Sequence, residues 1–215
     1  MKLTLYSYWR SSCSWRVRIG LAWKGLDWEY RAVNLLEGAQ FRPEHRARSP
    51  LGQVPCLEVE EGGRVHHLAQ SMAILEWLDE RFPAPRLLPA DALGRARVRA
   101  LAEHVNAGTQ PFQNASTLRW LREERAGLDE KWVRHWLAFA LGGLERAVAD
   151  GAGRCCHGDE VTLADLFLAP QLYGARRFGV DLAPFPTLTR VESALRELEA
   201  FRRAEPERQP DAPSS

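Results

Sequence analysis

Three small polar residues near the N-terminus, Ser11, Ser12 and Cys13, carry hydroxyl and thiol groups that can handle a reactive anion. They stand between a short apolar stretch and an apolar run over residues 15–23, a pattern that predicts a strand, a turn and a helix. The N-terminus of a helix presents free backbone N–H groups and a partial positive charge, and both stabilise an anion. A hydroxyl at this point either caps the helix or donates a hydrogen bond to a thiolate, and these residues alone leave both functions open.

The energy needed to activate a thiol is within the capacity of such a turn. Lowering a thiol pKa from about 8.5 to about 6.5 requires roughly 2.7 kcal/mol of preferential stabilisation of the thiolate. A hydrogen bond to a charged group contributes roughly 1.5–3 kcal/mol, and the end of a helix contributes about 0.3–1 kcal/mol, at most about 2. One serine hydroxyl and one helix N-terminus are therefore sufficient.

Two further dipeptides have residue types and positions that suit ligand binding. Val54-Pro55 opens a predicted internal strand, where proline removes a donor from the ladder. The alternatives are an edge strand, or a cis peptide bond that turns the Val54 backbone towards an extended ligand. Gln70 and Ser71 open a predicted helix, where Ser71 is expected as the N-cap and can also receive a ligand carboxylate at the positive helix end.

Three arginines, Arg10, Arg176 and Arg177, are candidates for binding a substrate carboxylate. A planar guanidinium pairs with a carboxylate through two parallel hydrogen bonds, which is why arginine suits this task. The six histidines form no recognisable arrangement of nucleophile and base. The four cysteines lack the spacing of zinc ligands, so we expect free thiols and no metal site.

The N-terminal part of the chain predicts an α/β domain that would position the serines and the two dipeptides. Residues 1–82 show a strand–helix–strand pattern, a hairpin with its turn near Gly62 and Gly63, and a final helix. Residues 83–94 are rich in proline and predict a linker.

The rest of the chain, residues 95–215, predicts an all-helical domain. Thr162 and Asp165 have the spacing of a helix capping box. We expect residues 206–215 to form an extended or frayed tail. The predicted helices span residues 95–108, 111–125, 130–150, 162–178 and 188–203.

Composition limits the function classes. The chain has 215 residues with 45% hydrophobic and 27% charged residues, which is ordinary for a soluble globular protein. A formal net charge of +1 provides no electrostatic basis for binding nucleic acid or an anionic membrane. No apolar run approaches the roughly 20 residues that span a bilayer, and the first residues lack the apolar core of a signal peptide. We therefore expect a cytoplasmic protein without a nucleic acid or membrane partner.

The order and content of these segments resemble the glutathione transferases, specifically their zeta class. The stretch SSCSWRVRI at residues 11–19 is the most specific match. The resemblance implies a thioredoxin-like N-terminal domain, a helical C-terminal domain, glutathione as the cofactor and a homodimer. Further matches extend it over nearly the whole chain, namely QVPCLEVEEG, QSMAILEWLDERFPAPRLLPAD, GTQPFQN, GDEVTLADLFLAPQ and RRFGVDLAPFPTL.

The resemblance also implies roles for individual residues. Ser11 is expected to donate to the glutathione thiolate, with Ser12 and Cys13 as supporting members of the catalytic group. Seven further residues are expected to contact glutathione: Gln40 at the glycyl end, Val54 and Pro55 at the cysteinyl part, Gln70 and Ser71 at the γ-glutamyl end, and Gln110 and Asn114 on the first long helix of the second domain.

For function, the resemblance implies a glutathione-dependent isomerase that converts 4-maleylacetoacetate to 4-fumarylacetoacetate in tyrosine and phenylalanine catabolism, with a glutathione transferase side activity. Arg10 and Arg177 match positions that hold substrate carboxylates, with Arg176 as the alternative to Arg177. Ala115 and Ser116 occupy positions where relatives acting on maleylpyruvate carry arginines, which favours maleylacetoacetate as the substrate. The alternatives are a maleylpyruvate isomerase, a transferase acting on α-halo acids, and a glutathione-binding module without catalytic activity.

Overall fold

A four-stranded mixed sheet forms the centre of the first of two units in the computed structural model, which describes residues 1–213. The strands are β1 (Lys2–Ser7), β2 (Glu29–Ala32), β3 (Cys56–Glu61) and β4 (Arg64–Ala69), in the order β2-β1-β3-β4. β1 pairs with β2 in parallel, and β3 is antiparallel to both β1 and β4. The predicted thioredoxin-like arrangement is confirmed.

Helices α1 (Ser12–Trp23), α2 (Pro43–Arg46) and α3 (Ser71–Arg81) complete this part of the first unit. α1 connects the parallel strands β1 and β2 and packs against α3. The predicted hairpin is confirmed, because Gly62 and Gly63 alone join β3 to β4. Both glycines have positive φ, 59° and 74°, which a two-residue turn that follows the twist of the strands requires.

The second unit spans Leu87–Glu197 and is built from helices. Its helices are α4 (Ala92–Asn106), α5 (Ala115–Glu124), α6 (Leu128–Ala149), α7 (Leu163–Arg177) and α8 (Pro186–Arg196), with a 3-10 helix at Gln110–Gln113. α7 packs against α4 and α8, and α4 also packs against α6. The predicted combination of an α/β domain and an all-helical domain is confirmed.

A capping box starts α7 as the sequence predicts. The Asp165 carboxylate accepts hydrogen bonds from the backbone N–H and the hydroxyl of Thr162, at 2.7 and 2.9 Å. Its other oxygen accepts from the backbone N–H of Cys156 at 2.7 Å. Asp165 is fully buried, so this carboxylate is used for structure and provides no acid–base group at the surface.

The C-terminal segment differs from its prediction. The expected helix over residues 188–203 is two helices, because Leu198 is extended (φ −83°, ψ 132°) and separates α8 from α9 (Glu199–Arg203). Residues 198–213 belong to the first compact unit with Met1–Arg86, whereas we expected residues 95–215 to form one domain after a linker at 83–94.

The physical reason is that this segment contacts α1 and the loop after β1. α9 packs against α1, and a 3-10 helix follows at Pro206–Arg208. The carboxylate of Asp211 accepts a hydrogen bond from the backbone N–H of Trp9 at 3.0 Å. The prediction of an extended or frayed tail is therefore wrong for residues 206–213, and residues 214 and 215 lie outside the described part. None of the helices within residues 1–213 is long and apolar enough to cross a membrane.

Candidate active site

Ser11 is the N-cap of α1. Its Oγ accepts a hydrogen bond from the Ser14 backbone N–H at 3.2 Å, and its own N–H donates to the Tyr8 carbonyl at 3.0 Å. A serine hydroxyl has two acceptor lone pairs and one proton, so this cap leaves the proton available to donate to a ligand. Ser12 and Cys13 follow in the first turn, and all three side chains are half-buried. The capping role is confirmed, and it is compatible with donation to a thiolate.

Arg10 lies in the turn between β1 and α1, one residue before this cap. Its guanidinium lies over the Trp9 ring, 5.4 Å from the ring centroid, and its side chain is half-buried. The ring covers one face of the guanidinium and leaves its edges able to donate to a carboxylate.

The peptide bond between Val54 and Pro55 is cis, so that alternative is confirmed. The edge-strand alternative is wrong, because β3 begins immediately afterwards at Cys56 and lies between β1 and β4. Val54 is only 8% exposed and packs in a small cluster with Tyr8 and Val33. This cluster places the Val54 backbone beside the end of β1, from which the Ser11 turn starts.

Gln70, and not Ser71, is the N-cap of α3, so that detail of the prediction is wrong. Gln70 has φ 72° and is the one non-glycine residue with positive φ among residues 1–213. Such a conformation costs on the order of 1–3 kcal/mol and typically occurs at binding sites. Ser71 is buried as the first residue of the helix, and its Oγ accepts from the Arg16 guanidinium at 3.2 Å.

Gln40 is buried, and within the described chain its Oε1 atom has no hydrogen-bond partner. The backbone carbonyl of Gln40 lies against Gly52. A Cβ added at Gly52 would be 2.9 Å from this backbone oxygen, so the lack of space and the φ of 63° both require glycine there. Gln53 follows Gly52, and its Oε1 accepts from the Gln70 side chain at 3.2 Å. Contacts therefore run from Gln40 to Gln70.

Because Ser71 contacts Arg16 on α1, the expected glutathione residues of the first unit form one connected group. The structure brings together Ser11, Gln40, Val54, Gln70 and Ser71 through backbone neighbours and hydrogen bonds. The role of Arg16 was missed in the sequence, where an arginine inside a helix indicates a solvated surface charge. It is instead fully buried.

In the second unit, Gln110 and Asn114 lie on the 3-10 helix and at the N-cap of α5, so their expected place on the first long helix is wrong. They belong to a cluster of amide side chains. Gln113 Nε2 donates to Gln110 Oε1 and to Gln171 Oε1, each at 2.9 Å, and Gln110 donates to Asn114 at 3.4 Å. Gln113 and Gln171 were missed, and the glutamine in the apolar pattern of α7 was the available signal.

The two arginines at the end of α7 differ in their surroundings. Both oxygens of the buried Glu192 carboxylate accept from the Arg176 guanidinium, and this pairing raises the pKa of Arg176. Arg177 is exposed and lies over the Phe178 ring, 4.6 Å from its centroid. Arg176 therefore stabilises the packing of α7 against α8.

Cys13 differs from the other three cysteines. Cys56, Cys155 and Cys156 are buried, and burial raises the pKa of Cys56 to about 11, that of Cys155 to about 12 and that of Cys156 well above its ordinary value. Cys13 alone is half-buried. In residues 1–213 no three His, Cys, Asp or Glu side chains are grouped so that they could hold a metal ion.

Comparison with known proteins identifies similar chains. Residues 10–81 match the model of the glutathione S-transferase N-terminal domain. Maleylacetoacetate isomerase of Rattus norvegicus is 45% identical, over 99% of this chain and 96% of that protein. A solved structure of maleylacetoacetate isomerase from Anaeromyxobacter dehalogenans 2CP-1, with glutathione bound in its active site, has 65% identity and a TM-score of 0.93, covering 99% of this chain and 98% of that one.

A second structure of the Anaeromyxobacter enzyme contains dicarboxyethyl glutathione and citrate in its active site, at 64% identity and a TM-score of 0.93. A bacterial maleyl pyruvate isomerase, described as a zeta-class glutathione S-transferase, has 42% identity and a TM-score of 0.91. The match covers 98% of this chain and the full length of that protein.

Proposed function

Because the chain belongs to the zeta-class glutathione transferase family, which includes the maleylacetoacetate isomerases, we propose that it is a glutathione-dependent cis–trans isomerase. The substrate is 4-maleylacetoacetate and the product 4-fumarylacetoacetate, a step of tyrosine and phenylalanine catabolism. The observation that supports this most is the Ser11 hydroxyl, which caps α1 through its lone pair and keeps its proton for a bound thiolate.

The side chains of the first unit fit glutathione chemically. The buried Oε1 of Gln40 can accept a hydrogen bond from an amide N–H, and it has no other acceptor role among residues 1–213. Gln70 and Ser71 stand at the positive end of α3, where a carboxylate is stabilised. The Val54 backbone is available to pair with the cysteinyl part. When bound, glutathione supplies a soft nucleophile that adds reversibly to the conjugated alkene and thereby permits rotation about the bond.

Ser11 lowers the pKa of that thiol by donating a hydrogen bond to its charged form, assisted by the N-terminus of α1. Ser12 and Cys13 support this group from the first turn of the helix. For substrate, we assign the carboxylates to Arg10 and Arg177, whose guanidinium groups lie over aromatic rings. A positive group near the carbonyl also stabilises the negative charge that develops there when the thiolate adds.

The dicarboxyethyl glutathione in the Anaeromyxobacter structure supports the addition step. A dicarboxyethyl group on sulfur is the product expected when a thiol adds to a butenedioate, a short analogue of the maleyl and fumaryl groups. The similarity of this chain to that enzyme extends over nearly its whole length.

Two related activities follow from the same site. The similarity to maleyl pyruvate isomerase favours maleylpyruvate as a second substrate. With an α-halo acid the same thiolate would form a bond to the α-carbon and displace the halogen as a halide ion. From the similarity to the zeta class we further infer a homodimer in the cytoplasm. A glutathione-binding module without activity is the alternative, and it would bind glutathione and turn over none of these substrates.

The experiment compares the purified protein on maleylacetoacetate, maleylpyruvate and an α-halo acid at one glutathione concentration. We expect isomerisation of maleylacetoacetate to be fastest, to require glutathione and to leave it unconsumed. Consumption of glutathione in proportion to product would assign the protein to group transfer instead.

A further inference from the structure

We propose that Asp211, in the C-terminal segment, is a positioning residue that holds the turn carrying Arg10 and Ser11. This inference rests on the proposed function, because it assigns to the segment an effect on the thiolate-binding turn. Nothing in the spacing of the chain suggests it, since Asp211 stands next to the end of the sequence and the turn next to its start.

The carboxylate of Asp211 uses both of its oxygens. Oδ2 accepts from the backbone N–H of Trp9 at 3.0 Å, and Oδ1 accepts from the Tyr30 hydroxyl at 2.6 Å. Trp9 lies two residues before Ser11 in a turn without regular secondary structure. Its N–H makes no sheet or helix hydrogen bond, so Asp211 satisfies a donor that the fold leaves open.

The other side of the same residue is held by Arg18 on α1. Arg18 Nη2 donates to the Trp9 carbonyl at 2.9 Å, and Nη1 donates to the Tyr8 carbonyl at 3.4 Å. Arg18 Nε donates to the Ala204 carbonyl at 3.1 Å, directly after α9. The backbone N–H and C=O of Trp9 are therefore both bound by charged groups, and the C-terminal segment contributes to both sides.

The segment is anchored well enough to do this. Phe201 and Ala204 are 3% and 1% exposed, and the Arg203 guanidinium lies over the Trp28 ring, 4.8 Å from its centroid. Burial lowers the pKa of Arg18 to about 10, against an opposing effect of Tyr30 and Asp211. Arg18 therefore stays protonated at neutral pH and keeps its hydrogen bonds to these three carbonyls and to the Ser7 hydroxyl.

Loss of the Asp211 carboxylate frees the Trp9 N–H and lets the turn move, which displaces the Ser11 hydroxyl from the thiol. Gln70, Ser71 and Val54 stand on other elements, so the remaining glutathione contacts stay in place. We therefore expect Asp211→Ala to lower kcat by roughly tenfold, to raise the pKa of the bound glutathione thiol, and to change the Kd of glutathione by less than about threefold.

The experiment measures isomerase kcat, and separately the ultraviolet absorbance of the bound thiolate as pH is varied. Asp211→Asn is the rescue variant, because its amide oxygen can accept from Trp9 N–H and its amide nitrogen can donate to Tyr30. It should recover most of kcat and a thiol pKa near the wild-type value. Asp27→Ala, which removes an exposed carboxylate of the same unit, should match the wild type in both.

A folded Asp211→Ala protein with wild-type kcat and wild-type thiol pKa would overturn the proposal. If that variant does not fold, Asp211→Glu carries the test, since it keeps the charge and moves the acceptor by one methylene; unchanged kcat and thiol pKa would then refute it. The thiol pKa is read from bound glutathione without any substrate. An inactive wild type would therefore contradict the proposed function while leaving this readout intact.

Discussion

Replacement of Ser11 by alanine removes two interactions of its hydroxyl, one observed in the structure and one proposed. The first is the N-cap, in which Oγ accepts from Ser14 N–H at 3.2 Å. Losing such a cap lowers the free energy of unfolding by about 0.5–2 kcal/mol. The second is the proposed hydrogen bond from the hydroxyl to the glutathione thiolate, which contributes roughly 1.5–3 kcal/mol.

The second loss predicts a rise in the pKa of bound glutathione of about 1–2 units, because one unit corresponds to about 1.4 kcal/mol. The direction follows from the sign of the effect. A donor that stabilises the charged form lowers a thiol pKa, so its removal raises it. At a pH below the thiol pKa of glutathione bound to the wild-type protein, the thiolate fraction and kcat of Ser11→Ala should be lower by roughly tenfold to a hundredfold. The Kd of glutathione should change much less.

Asp91→Ala is the matched control for the cap. Asp91 caps α4 by accepting from the Gly94 N–H at 2.7 Å, so the variant should lose a similar free energy of unfolding and keep kcat. The assays are denaturant unfolding, pH titration of thiolate absorbance and steady-state isomerisation. A Ser11→Ala protein with reduced stability but wild-type thiol pKa and kcat would show that Ser11 is a helix cap alone and does not stabilise the thiolate.

Three further predictions concern stability and reactivity. Lys24→Met removes a buried ammonium that donates to Asp79 at 2.6 Å and to the carbonyls of Phe82 and Pro85 at 2.7 and 2.5 Å. Because the variant leaves the Asp79 carboxylate without this partner, the free energy of unfolding should fall by about 3–5 kcal/mol. A decrease below about 1 kcal/mol in denaturant unfolding would contradict this prediction. Near pH 8 the folded protein should show one thiol that reacts rapidly with a disulfide reagent and is lost in Cys13→Ala, because burial raises the pKa of Cys56 to about 11, that of Cys155 to about 12 and that of Cys156 well above its ordinary value. Two or more rapidly reacting thiols would exclude this assignment. Gln70→Gly should relieve the strain of a positive φ of 72°, so the free energy of unfolding should stay the same or rise by up to about 1 kcal/mol. The Kd of glutathione should rise at least about tenfold, because the side chain is lost. A decrease in both the free energy of unfolding and the affinity for glutathione would mean that the backbone at Gln70 is not strained.

The local parts of the fold could be predicted from the sequence. The two glycines of the hairpin turn, the capping box at Thr162 and the change from strand to helix patterns all depend on residues within a few positions of one another. The position of Ser11 at a helix start belongs to the same class, as does the distinction between an α/β part and a helical part.

What could not be predicted depends on contacts between distant residues. Arg18 is buried because carbonyls from the β1 turn and from Ala204 surround it, and no helical periodicity indicates this. Asp211 is held by hydrogen bonds from Trp9 and Tyr30, which are distant in sequence. The local sequence around Asp211 does not reveal these partners and therefore predicts only a polar tail. The N-cap at Gln70 was missed because a positive φ outside glycine is rare, and local preference therefore favours Ser71.

The most direct test of the central claim is to follow maleylacetoacetate and glutathione together during turnover by the wild-type protein. If the protein is this isomerase, maleylacetoacetate becomes fumarylacetoacetate through many turnovers for each glutathione present, and omission of glutathione stops the reaction. A protein that binds glutathione and leaves maleylacetoacetate unchanged, or that isomerises it equally well without glutathione, would contradict it.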